Sequence, residues 1–193
     1  MGVPAGRARR HTGDTGASGE RHVEVKGATL LFTLAALMVT FAGFSALLLG
    51  VRQAAGAKLS ALDTYLSKTV LSNLIVLTGG TLLPPLLALY DVSEERLWRI
   101  SAVLFGLPML FLLLSYPHRR RKAVGSSPPP AVYAIFVVFG SAVLVAMLVY
   151  VLAGFQYGPA AYITSIMVNF FACSFAFVTA LDVILQQPIE PPR

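Results

Sequence analysis

The chain has 193 residues, 56% of them hydrophobic and only 12% charged, where soluble domains carry about 25% charge. With a mean hydropathy of +0.72, this excludes an ordinary soluble domain and indicates an integral membrane protein. The net charge of +6 does not point to nucleic acid, because the basic residues flank apolar runs, where they anchor topology and meet anionic lipid headgroups.

Residues 1–26, MGVPAGRARRHTGDTGASGERHVEVK, are rich in Gly, Arg and polar residues. They are expected to form a disordered basic arm, since they hold too little apolar surface to fold alone. The apolar run that follows is too long for a signal peptide and lacks a clear small-residue cleavage site. The opening Met-Gly is not read as a myristoylation start, because Gly6 stands where Ser or Thr is needed.

The first span is expected over about 28–51, between Lys26 and Arg52, and the second over about 65–90. DVSEER then forms a polar turn, in which Asp91 with Glu94, or Ser93 alone, suits the start of the next helix. The third span, about 97–116, stops at PHRRRK. AVGSSPPP reads as an extended loop, because consecutive prolines cannot enter a helix interior. The fourth span covers about 131–155 and is broken by QYGP. The fifth covers about 160–185, and a Pro-rich tail over 188–193 closes the chain.

Each run can cross a hydrocarbon core of about 30 Å as a helix, and backbone groups in lipid must be paired. From Ala123 to Leu181 there is no Asp, Glu, Lys or Arg. No alternating barrel pattern appears. The expected fold is all-α: one transmembrane domain over 27–187, a bundle of five helices.

An odd number of spans puts the termini on opposite sides, A for the N-terminal side and B for the other. Counting charges close to the spans favours B as cytoplasmic. Arg119, Arg120, Arg121 and Lys122 abut the third span and are the expected cytoplasmic anchor. The N-terminus is then outside and the C-terminus inside. Trp98, Tyr90, Tyr116, Tyr133 and Tyr157 fall near span ends, as interfacial aromatics do.

Polar residues within spans are the candidate site. Lys68 and Asp182 each lie about one turn inside the B end of their spans, at similar depth. They form either an intramembrane ion pair or two groups that reach the interface separately, and snorkelling is the reading favoured for Lys68. Asn73 and Asn169 lie deeper and are expected to make interhelical hydrogen bonds. Asn73 is nearer B and Asn169 nearer A, so contact between them within one protomer is not expected. Ala42, Ala46 and Gly50 form a small-residue stripe in the first span, and Ala172, Ala176 and Ala180 another in the fifth, suited to close helix packing.

The second span contains Gly79-Gly80 followed by Pro84-Pro85. The prolines remove two backbone donors and crowd carbonyls one turn back. A kink or local unwinding is expected over 79–85, with a packing role favoured over a substrate site.

Catalytic chemistry is not evident. His11 and His22 are in the arm and His118 sits beside a basic cluster, none with a second ligand at metal spacing. Cys173 is the only cysteine. It lies in an apolar run and reads as a small hydrophobe. No cofactor is implied. Arginine exceeds lysine, and Ala, Gly and Pro are plentiful, which suggests a bacterial GC-rich genome.

Three features occur in order. They are a first span ending in LLLGVRQ, a second after a polar linker, and a last one after a Gly-Pro break, YGPAAYITSIMVNFFACSFAFVTALDVIL. This order resembles a broad group of small, uncharacterised bacterial membrane proteins of four or five spans. The resemblance implies a multi-pass protein of a bacterial inner membrane and no specific activity.

The expected function is a non-enzymatic scaffold or accessory subunit in a bilayer with anionic headgroups, as a homo-oligomer or with a membrane protein partner. The alternative is a small oligomeric transporter or channel using polar residues of the second and fifth spans. A common interior for those residues would favour the alternative.

Overall fold

Five helices long and apolar enough to cross a membrane account for the fold. The computed structural model describes Val25, 27–54, 60–90, 92–154 and 156–185, without the side chains of 52, 132 and 179–185. The arm over 1–24, Lys26 and the tail over 186–193 lie outside the described residues. In chain order the elements are α1 (Ala28–Ala54), α2 (Ala61–Ala88), α3 (Glu94–Val124), α4 (Pro130–Tyr133), a π-helical segment (Ala134–Phe139), α5 (Gly140–Leu152) and α6 (Gly158–Leu185). Together α4, the π segment and α5 make the fourth span. No strand occurs among the described residues. The protein is an all-α bundle.

The apolar character continues around the outside. Phe32, Ile75, Phe111, Val138 and Phe171 are all more than half exposed. Helices apolar on every face are suited to lipid and not to water.

α2 is central and packs against α1, α3 and α6, while α6 also packs against α5 and touches α1 and α3. The A half of the interior is filled by aromatic side chains. The Tyr162 ring meets Trp98 at 5.5 Å and Phe105 at 5.7 Å, both edge-on, the arrangement that ring quadrupoles favour. Phe41 of α1 meets Phe170 and Phe177 of α6 in the same manner. Val25, just before α1, is already buried in this core. Gly27 has φ +79°, and a Cβ there would come within 2.9 Å of Ile163, so the chain turns into α1 at a residue that tolerates the left-handed region.

Three features of the elements differ from expectation. α2 begins four residues earlier than the hydropathy suggests, because Ser60 and Asp63 form a capping box. Ser60 Oγ accepts from the Asp63 amide at 3.1 Å and the Ser60 amide donates to Asp63 Oδ2 at 3.0 Å. Both orphan donors are satisfied.

α3 does not stop at PHRRRK but runs to Val124. Pro117 cannot donate and crowds the carbonyl four residues back. In that turn the Leu112 carbonyl accepts from Arg119 Nη2 at 2.8 Å and from Ser115 Oγ at 3.3 Å. Gly125, at φ +74°, ends the helix and donates to the Arg121 carbonyl. Ser93 stands at the N-cap of α3 but makes no side-chain cap bond, and Asp91 lies outside the described residues.

The fourth span is not uniformly α-helical, since the π segment stands between α4 and α5. This wider winding sits opposite α3 and precedes Gly140. A Cβ at Gly140 would lie 3.1 Å from Leu113 and 3.4 Å from Asn169 Oδ1. Gly140 thus lets α3 and α6 approach the fourth span closely.

Candidate functional site

Gly79-Gly80 and Pro84-Pro85 lie in an unbroken helix, so the turn over 79–85 is not unwound. Pro84 has no amide to offer the Gly80 carbonyl, its ordinary partner four residues back. The Tyr162 hydroxyl donates to that carbonyl instead, at 2.6 Å. Tyr162 is fully buried, and a buried phenol needs such an acceptor. Gly80 has a second role: a Cβ there would stand 2.5 Å from the Phe105 ring. Gly79, on the other face, has open space around it. The motif therefore joins α2, α3 and α6. Two signals were legible separately: a proline four residues after a glycine, and a tyrosine in an apolar run. Their pairing was not.

The candidate site lies on the B side of this aromatic cluster. A cavity of about 340 Å³ runs between α2, α3, the π segment and α6. Its wall is mostly apolar, with Val70, Met109, Leu113, Val137, Ala172 and Cys173 prominent. Asp63, Asn73, Arg120 and Asn169 also reach it. The two asparagines thus share one cavity, although their expected depths kept them apart. Neither makes the expected interhelical bond. Asn169 Nδ2 donates to the Ser165 carbonyl in its own helix at 2.8 Å, and Asn73 Oδ1 has no partner. Residues that line a cavity have no facing helix to bond to.

Cys173 is buried, and its Sγ lies 3.8 Å from the Val70 carbonyl of α2, which agrees with its reading as a small hydrophobe. Ala172 and Ala176 were expected to bring helix backbones together. Here they widen the cavity. The side chain of Ala180 lies outside the described residues.

Lys68 is exposed. It lies in a surface groove with Thr64, Tyr65, Ser72 and Arg119. Val70, which meets α6, is about 200° around the helix from Lys68. The side chain of Asp182 lies outside the described residues.

The four residues of the basic cluster have different environments. Arg119 is half-buried and turned back onto its own helix. Arg121 and Lys122 are exposed, in the last turn of α3, where cations suit the helix dipole. Arg120 is only 8% exposed, and its Nε and Nη1 have no hydrogen-bond partner. Sequence reasoning treated all four as one anchor. Helical phase alone separates them, and it became readable only once α3 was known to continue past Pro117.

Comparison with known proteins found no matching family model, no matching curated protein and no matching solved structure. The multi-span part of the resemblance to small membrane proteins agrees with the five helices.

Proposed function

We propose that this is a non-enzymatic membrane protein that works by holding membrane components, as a scaffold or accessory subunit. One observation carries the reading: the cavity is blind. Its lining stops short of Leu74, Leu77, Phe105, Tyr162 and Ile166, which fill the A side and are essentially inaccessible. A conducting route would need polar groups through both halves of the bundle.

Reconstitution into liposomes tests this. Ion and small-solute flux should match that of empty vesicles. Flux well above that background would favour the second reading, a small transporter or channel. That reading has its own support, since Asn73 and Asn169 line one cavity.

The proposed membrane is a bacterial inner membrane, with side B cytoplasmic. Arg121 and Lys122 support this orientation, being exposed at the B end of α3. Alkaline phosphatase fused after Val124 should be inactive, and strong activity would reverse the orientation. The proposed protein partner is a second copy or another membrane helix. Ala46 and Gly50 of α1 face outward, with open space at Gly50, and small residues allow close helix approach. Ala46→Cys chains should crosslink in membranes, and a failure to crosslink would remove α1 as the contact.

A further inference from the structure

We infer that the B-side cavity is a binding site for one anionic phospholipid, with an acyl chain in the cavity and its phosphate on Arg120. Three independent features converge on this ligand.

The first is an unmatched charge. Arginine is permanently charged, and a guanidinium with buried, unpartnered nitrogens is costly unless an anion meets it. Arg120 is buried to 8% exposure, and its Nε and Nη1 lack acceptors while the residue lines the cavity. A phosphate can accept from this guanidinium in bidentate fashion across its Nη1–Nη2 edge. Asp63 also reaches the cavity, but its Oδ2 is engaged with the Ser60 amide.

The second is depth. On α3 the lining runs from Met109 to Arg120, about 16 Å along the axis. That is roughly half of a hydrocarbon core of about 30 Å, the thickness of one leaflet. Arg120 stands at headgroup level, and the apolar wall continues from there to the bundle's midplane.

The third is access. The fourth span packs on α6 through α5, and the π segment and α4 have at most marginal contact with α6. The exposed residues Ala131, Ile135 and Phe175 edge the resulting gap. An acyl chain can enter sideways from the leaflet, as bilayer solvent does, without crossing water.

The inference rests on the proposed holding role, which the flux measurement tests separately. The full chain in a neutral detergent is mixed with phosphatidylglycerol or phosphatidylcholine of matched chains. Retained lipid is read by native mass spectrometry, and thermal stability is followed in parallel.

The expected result is one tightly held phosphatidylglycerol, retained at least tenfold over phosphatidylcholine. Arg120→Gln should abolish this preference, and Arg121→Gln should keep it. Ala172→Phe should exclude both lipids by filling the cavity. Without lipid, Arg120→Gln should be at least as stable as the parent, since it removes an unpaired buried charge. Added phosphatidylglycerol should then raise the parent's melting temperature but not the variant's.

Equal retention of the two lipids, or equal loss of preference in Arg121→Gln, overturns the assignment to Arg120 and leaves the holding role standing. Displacement of the lipid by millimolar inorganic phosphate also overturns it, because the chain would then contribute nothing. Retention unchanged by Ala172→Phe would put the lipid outside the cavity and overturn the site.

Discussion

At the scale of single residues, the proline pair in α2 is part of a tertiary joint. The Gly80 carbonyl released by Pro84 accepts from the Tyr162 hydroxyl. Tyr162→Phe should therefore leave a buried acceptor unpaired, at a cost of about 1–3 kcal/mol. In a Pro84→Ala background the helix regains its own donor, so the same substitution should cost less. A double-mutant cycle by unfolding in detergent isolates this coupling, and strict additivity would show that the two sites are independent. The adjacent glycines should part in the same assay. Gly80→Ala places a methyl against the Phe105 ring and should destabilise by about 1–3 kcal/mol. Gly79→Ala meets nothing within 4 Å and should stabilise by about 0.5–1 kcal/mol, through lower unfolded-state entropy. Similar losses at both positions would mean that the ring does not limit Gly80.

At the scale of elements, helix ends depended on local polar chemistry that hydropathy does not register. The capping box at Ser60 sets where α2 begins, and the motif was present in the sequence as Ser-x-x-Asp. Ser60→Ala should cost about 1 kcal/mol, measured by thermal unfolding in detergent. The loss should fall on the B end of α2, where hydrogen exchange would report early fraying. Exchange unchanged over 61–66 would mean that packing holds this end without the cap. The extension of α3 was harder to read, because Pro117 ordinarily signals a stop. Arg119 reaches back to the Leu112 carbonyl in the turn that Pro117 disturbs, a contact that is visible only in three dimensions. The π segment likewise has no signature of its own in AIFVVF. Its winding shares a wall with α3 and precedes the close approach at Gly140.

At the scale of the whole molecule, α2 and α6 are neighbours, joined at the Val70 carbonyl and Cys173. Cys173 is the only cysteine in the chain, so a second one gives a single intramolecular pairing. Mild oxidation of Val70→Cys should produce a disulfide to Cys173, seen as a gel-mobility shift that reductant reverses. Leu71→Cys points outward and should not produce it. Crosslinking through Leu71→Cys and none through Val70→Cys would rotate α2 and undo the cavity with it.

The spans, their number and the all-α class were determined by the sequence alone. Twenty or so apolar residues in lipid have one way to pair their backbone groups, so length and hydropathy suffice. The polar residues of α2 and α6 were visible too, as residues that lipid does not accommodate freely. Their assembly was decided by tertiary structure. Which face of α2 turns to α6, which of four consecutive cations turns inward, and which hydroxyl meets the carbonyl that Pro84 leaves open all depend on helix phase and neighbour choice. Sequence period constrains these weakly here, because the helices are apolar on every side and lack the polar face that would set their rotation.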